Sequence, residues 1–172
     1  VDIMNSLAIG DPLSEDTQLG PLARTDLLEE LDGQVQHSIK AGARLLCGGK
    51  RADRTGAFYL PTVLTDVKKG MPVYEEETFG PVSAIIPVKD TEEAIAVAND
   101  SEFGLGGSVW SRDIEKAESV ARRIESGAVF INGMTKSDPR LPFGGVKRSG
   151  YGRELSHYGI KEFINIKTIW IA

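Results

Sequence analysis

Residues 82–131 read VSAIIPVKDTEEAIAVANDSEFGLGGSVWSRDIEKAESVARRIESGAVFI, and the order of apolar runs within them decides the fold class. Val82–Val88 is nearly continuous in apolar residues between Gly80-Pro81 and Lys89-Asp90, a pattern that suits a strand buried on both faces. Thr91 is placed to cap the helix that follows, because Glu92, Glu93 and Ala94 come next and Ile95, Val97 and Ala98 carry it on. Gly107–Trp110 is the next strand. Ser111 or Asp113 then caps a helix running through Val120, Ile124 and Ser126, with Gly127 as its stop. Ala128–Ile131 reads as another buried strand. Strand, helix, strand, helix, strand predicts crossover units and an α/β fold with a largely parallel sheet.

Upstream, Gly10–Pro21 is rich in Gly, Pro, Asp and Ser and reads as a surface loop. Between Leu22 and Ala41 apolar residues fall at Leu27, Leu28, Leu31, Val35 and Ile39, which is helical spacing interrupted mildly by Gly33 and stopped by Gly42. Arg44–Cys47 is a short strand ended by Gly48-Gly49, and Tyr59–Leu64 a second extended piece in which Pro61 marks an edge or an end. Downstream, Asn132–Gly152 is loop-rich, Glu154–Tyr158 a short helical turn, and Lys161–Ile171 (KEFINIKTIWI) a β-rich tail. An uncovered apolar strand invites aggregation, so the tail is expected to pair with another chain or sheet.

Composition narrows the function classes. The chain has 172 residues, 41% hydrophobic and 26% charged, which is the balance of one folded domain with a sizeable core. Its 25 acids outnumber 20 bases, and no basic stripe interleaves with aromatics, so nucleic-acid binding has no support. No apolar run approaches the ~20 residues that cross a bilayer, and no secretory leader is visible. A single cysteine forms no intramolecular disulfide, and no Cys/His cluster has metal-ligand spacing. The expectation is a cytoplasmic, metal-free protein. The chain starts at Val1 inside what already reads as structured sequence, which suggests a fragment.

Residues 75–82 read EEETFGPV. From the residues alone, three carboxylates ahead of a turn are first of all a solvated acidic patch. Yet a carboxylate can accept two hydrogen bonds from a ribose diol, an aromatic ring can pack on a nicotinamide face, and Gly80-Pro81 supplies a turn to hold both. The string resembles the aldehyde dehydrogenase motif in which Glu, any residue, Phe, Gly and Pro follow one another. Six further stretches resemble that family in the same order: Gly10–Leu22, Gly42–Gly49, Phe58–Val67, Ser101–Asp113, Gly127–Asn132 and Pro142–Ile160. Together they span essentially the whole chain. An unrelated α/β binding module would need all seven to be accidental.

The resemblance implies that Glu77 binds the nicotinamide ribose hydroxyls, that Phe79 packs beside the nicotinamide, and that the cofactor is NAD or NADP. It implies that residues 1–160 form the C-terminal part of the catalytic domain and 161–172 an oligomerisation β tail, so that the protein is a homo-oligomer acting on a small aldehyde. The family's nucleophilic cysteine, general-base glutamate and Gly-rich dinucleotide turn would all lie before Val1. Gly104-x-Gly106-Gly107 precedes a strand and is better read as a turn. The isolated chain is therefore expected to be inactive, and a non-catalytic piece that only assembles is the alternative.

Cys47 ends an apolar strand beside Gly48-Gly49. A catalytic thiol needs an activated thiolate, and although Lys50 and Arg51 are near in sequence, Cys47 is not expected to be the nucleophile. His37, among Gln34, Gln36 and Ser38, reads as a surface residue, and His157 between Ser156 and Tyr158 as structural. Trp110 and Trp170 read as packing residues. The loop Gly133–Leu141 (GMTKSDPRL) is either a solvated polar loop or, with Phe143, a substrate wall. In the second reading Lys136 or Arg140, with Ser137, holds a carboxylate at the far end of the aldehyde. GRELSHYGI together with this loop is similar to bacterial succinate-semialdehyde dehydrogenases.

Overall fold

The computed structural model describes residues 1–172. In chain order the elements are α1 (Asp2–Asn5), α2 (Thr25–Lys40), β1 (Arg44–Cys47), β2 (Thr62–Thr65), α3 (Pro72–Glu75), β3 (Val82–Ala84), α4 (Thr91–Asn99), β4 (Phe103–Gly104), β5 (Gly106–Val109), α5 (Ile114–Ala121), β6 (Ala128–Ile131), β7 (Val146–Lys147) and α6 (Ser156–Glu162). The fold is mixed α/β, and the chain divides into two compact units, Val1–Pro87 and Val88–Ala172.

In the first unit, β2 is the central strand of the order β1-β2-β3. It pairs antiparallel with β1 (Arg44↔Thr65, Leu45↔Leu64) and parallel with β3 (Thr62↔Val82, Leu64↔Ala84). All four β2 residues are buried. Leu28, Leu31 and Val35 of α2 meet Tyr59, Leu64, Val67 and Met71 in the core, so the helical spacing of the leucines does what it implies. Tyr59 donates its hydroxyl to Asp32 Oδ1 at 3.0 Å, and burial pushes the phenol above its ordinary range, helped by the Asp32 carboxylate.

In the second unit, β5 and β6 form a parallel pair across α5, with Gly106↔Ala128 and Val109↔Ile131 in register. Here the crossover expectation holds. The N-cap of α4 is Asp90, whose side chain accepts from Glu93 N at 2.8 Å, and Thr91 is already the first helical residue. Of the two candidate caps for α5, Asp113 serves, accepting from Lys116 N at 3.0 Å. The helix stops at Ala121, short of Ser126, because the Asn99 amide takes up the backbone beyond it, donating to Arg123 O and accepting from Glu125 N. Gly127 is more than a stop signal: a β-carbon there would fall on the Gly144 carbonyl oxygen.

Two expectations need correction. Residues 82–131 do not build a single parallel sheet: β3 pairs back with β2, β5 pairs with β6, and β4 pairs antiparallel with β7. Val82–Val88 is not a strand buried on both faces; β3 has a partner on one edge only, Ser83 and Ala84 are exposed and Ile85 is 48% exposed. Its β6 counterpart is half-buried along its length rather than buried. The tail expected to pair with another chain, Lys161–Ile171, forms no strand within this chain. The expected turn grows into α6, which takes Lys161 and Glu162, and beyond it Ile166 and Trp170 stand exposed, Trp170 at 86%.

Candidate functional site

One row of α2 holds the EEETFGPV segment. Leu31, Gln34 and Ser38 lie at i, i+3 and i+7, the spacing that puts residues on one helix face, and all three are buried. Ser38 Oγ donates to Gln34 O at 2.8 Å and accepts from Val73 N at 3.1 Å. Val73 is in the first turn of α3, where amides have no partner within the helix. Gln34 Nε2 donates to Glu76 Oε2 at 2.9 Å and to Glu77 O at 3.2 Å. Leu31 fills the space that Gly80 leaves free: a β-carbon on Gly80 would overlap Leu31 Cδ2. Three successive points of the segment are thus tied to one helix.

With its backbone held inward, the segment turns Glu77 and Phe79 outward. Glu77 is exposed, and Phe79 is 65% exposed. Phe79 lines an apolar cavity of about 420 Å³ together with Leu19, Leu22, Leu27 and Pro81. The turn thus presents an exposed carboxylate two residues before a ring that lines an apolar cavity, groups able to accept hydrogen bonds from a diol and to pack on a flat ring.

In the second unit, the loop after β6 begins at Asn132, which takes a left-handed φ of 52° and makes two bonds to Ser111: Ser111 N donates to Oδ1 at 2.9 Å, and Nδ2 donates to Ser111 O at 2.8 Å. Lys136, Ser137 and Arg140 are all exposed on this loop. Arg140 is engaged: Nε and Nη2 donate to the two oxygens of Asp138 at 2.9 and 2.7 Å, and its backbone N donates to Oδ1. These bonds, with Lys136 nearby, hold the Asp138 carboxyl well below the usual carboxylate range. Phe143 makes a two-way backbone pair with Glu154 at 2.9 and 2.8 Å, and two residues on, Ser156 N donates to Pro139 O of the loop at 3.1 Å. The surroundings of Phe143 are a cavity of about 340 Å³ shared with Leu105, Tyr151, Arg153 and Phe163.

Cys47 is half-buried in β1, with its Sγ 3.7 Å from Pro61 O. Arg51, one of two cations near it in sequence, pairs with Asp32 at 3.5 Å instead. His37 is exposed and bonds Gly33 O through Nδ1 at 2.7 Å. His157 is exposed and packs against Tyr158, ring centroids 4.2 Å apart. Trp110, expected as a packing residue, is 66% exposed. The residues missed from sequence are Gln34 and Ser38. The signal was present, since both are polar residues on the apolar face that Leu31 and Val35 define.

Comparison with known proteins gives one answer throughout. The profile of the aldehyde dehydrogenase family matches residues 1–169. A probable succinate-semialdehyde dehydrogenase [NADP(+)] of Synechocystis sp. is 54% identical over 167 residues, 97% of this chain and 37% of that protein. Succinate-semialdehyde dehydrogenase [NADP(+)] 1 of Mycobacterium tuberculosis is 53% identical over 169 residues, 98% of this chain and 37% of that protein. Among solved structures, the succinic semialdehyde dehydrogenase of Streptococcus pyogenes in complex with NADP+ superposes with a TM-score of 0.94 at 43% identity, covering 99% of this chain and 37% of that one. The chain spans little more than a third of the length of these relatives. With the match running from its first residue almost to its last, the chain belongs to the aldehyde dehydrogenase family.

Proposed function

We propose that the protein carrying this chain oxidises succinate semialdehyde to the dicarboxylic acid with NADP or NAD as acceptor, and that this chain supplies the nicotinamide-positioning turn and part of the substrate wall. The observation that carries the reading is the pairing of an outward carboxylate, Glu77, with an exposed ring, Phe79, on a turn anchored to α2 beside an apolar cavity. The names of the relatives point to the substrate and favour NADP.

When bound, the nicotinamide takes up a hydride. In this reading Glu77 accepts hydrogen bonds from the ribose diol, and Phe79 shields one side of the ring from water and limits its tilt, which is a contribution by orientation. The nucleophile is a cysteine before Val1 that adds to the carbonyl as a thiohemiacetal; the aldehyde C–H of that adduct supplies the hydride, leaving a thioester that water hydrolyses to the acid and free thiol. Cys47 takes no part in this. Lys136 and Arg140, with Ser137, hold the distal carboxylate of the aldehyde, and Phe143 adds apolar surface. Arg140 meets that carboxylate with the N–H groups Asp138 leaves free, since a guanidinium carries five. Residues 1–160 belong to the catalytic domain, and 161–172 add a strand to a neighbouring subunit's sheet.

The test is a comparison of substrates in the full-length enzyme. Lys136→Ala and Arg140→Ala are each expected to raise KM for succinate semialdehyde about tenfold or more, the range of a charge-assisted bond. KM for an uncharged aldehyde of equal length should hardly change. Equal effects on both substrates would refute the carboxylate anchor.

A further inference from the structure

Gln34 lies 42 residues before the segment it holds and is only 6% exposed. Both of its side-chain N–H groups are spent on that segment, one on the Glu76 carboxylate at 2.9 Å and one on the Glu77 carbonyl at 3.2 Å. Its own place is set by its neighbours on the helix: Ser38 Oγ donates to its carbonyl, and Leu31 packs where Gly80 has no β-carbon. The positions around it on this face, Leu31 and Val35, are aliphatic. An aliphatic residue would fill the same space without the desolvation cost of an amide. What the amide adds is direction. A hydrogen bond to the Glu77 carbonyl fixes the peptide plane after Glu77, and with it the direction in which the Glu77 side chain leaves and the path to Phe79.

We propose that Gln34 is a positioning residue for the nicotinamide cofactor, holding the Glu77 carboxylate and the Phe79 ring at a fixed height and angle through the Glu76 carboxylate and the Glu77 carbonyl. This rests on the reading of Glu77 and Phe79 as the residues that hold the nicotinamide riboside. Gln34 acts through them and not by contact with the reacting atoms. The Glu76 carboxylate has a part as well, since it orients the amide so that its second N–H reaches the carbonyl.

The experiment uses the full-length enzyme and reads cofactor affinity by equilibrium fluorescence titration with NADP, alongside the KM of the aldehyde and amide exchange of residues 77–79 without cofactor. Gln34→Leu is expected to raise the cofactor Kd about tenfold, the scale of a lost bond to a positioned group, and to speed exchange at 77–79. The aldehyde KM should stay within about twofold, a split that a general loss of folded protein would not produce. A folded Gln34→Leu enzyme with the parent Kd would overturn the proposal. Should that variant not fold, the exchange pair Gln34→Glu with Glu76→Gln decides. It rebuilds the side-chain bond with donor and acceptor reversed but leaves the Glu77 carbonyl facing a carboxylate. Weak cofactor binding in the pair supports the proposal, and parent affinity overturns it. Glu77→Ala separates the two layers of the argument. If it leaves Kd unchanged, the reading of Glu77 fails; if it weakens binding while Gln34→Leu does not, only the role of Gln34 fails.

Discussion

Replacing Gly80 by alanine tests whether the turn that carries Phe79 is seated against α2 as described. The new β-carbon would overlap Leu31 Cδ2 and stand 3.3 Å from Cδ1 and 3.4 Å from Cγ. Leu31 is 1% exposed and packed in the core, so its side chain has no free space to turn into. Overpacking of this kind costs about 1–3 kcal/mol. Against it, alanine narrows the unfolded ensemble by about 0.4–1 kcal/mol, leaving a net loss between about 0 and 2.6 kcal/mol. Leu31→Ala alone should cost about 2–5 kcal/mol, as for a buried leucine. The two changes together are the decisive case: with the leucine truncated, the alanine at 80 has room, and the double variant should be about 0.4–1 kcal/mol more stable than Leu31→Ala. Urea denaturation of the full-length enzyme, followed by circular dichroism, gives the cycle, and the expected coupling is about 1–3 kcal/mol. Losses that simply add, within about 0.5 kcal/mol, would mean that Gly80 and Leu31 are not in contact and that the turn is seated otherwise.

Asp138→Asn should release Arg140 for a substrate carboxylate and lower KM for succinate semialdehyde severalfold while leaving an uncharged aldehyde unaffected; an unchanged or higher KM would show that Asp138 orients Arg140 instead of competing for it. Because Arg140 depresses the Asp138 carboxyl in the folded state, the pair stabilises the loop above the ordinary carboxylate range and is lost only as pH falls through the lowered folded value, so carbon NMR of that carboxyl should show it ionised throughout the titration of its neighbours. Tyr59→Phe removes the hydroxyl that meets Asp32 and should cost about 1–2 kcal/mol in urea denaturation. The Tyr59 phenol titrates above its ordinary value, so this contribution is complete below about pH 10 and fades as pH rises toward the folded value, which ultraviolet titration of the phenolate checks. The purified 172-residue chain should form no NADPH from NADP and succinate semialdehyde, and its self-association in light scattering should fall when residues 163–172 are removed; turnover by the chain would place a nucleophile within it.

Much of the site was legible from sequence because its signals are local. Glu77, Phe79 and Gly80 are neighbours in the chain, and a run such as Thr-Phe-Gly-Pro constrains its own backbone whatever surrounds it. The caps of α4 and α5 were legible to within a residue for the same reason, since an aspartate and the amide it accepts from are three residues apart. Gln34 was not legible as a site residue. Helical spacing puts it on the apolar face with Leu31 and Val35, but its partner lies more than forty residues away and nothing local names it. Arg140 shows the opposite limit. Its charge was correctly noticed, but the partner two residues away that occupies it is a matter of side-chain geometry.

By itself the sequence determined roughly where α2, α4, α5 and the strands β1, β2, β5 and β6 lie, which turn carries Glu77 and Phe79, and the family to which the chain is similar, because helical period, glycine and proline placement and ordered motifs are properties of neighbours along the chain. Only the tertiary structure decided which strands pair. The apolar run at 82–88 looked buried on both faces, yet β3 has one partner and an open edge; Lys161 and Glu162, which looked like the start of a strand, end α6 instead. Hydrophobicity reports that a segment is more stable when covered, whereas pairing depends on which backbone edge reaches it, and that is fixed by the folded arrangement of distant residues. The same physics separates the outward carboxylate from the buried glutamine that aims it: the first can be read from its own eight residues, the second only once α2 lies against them.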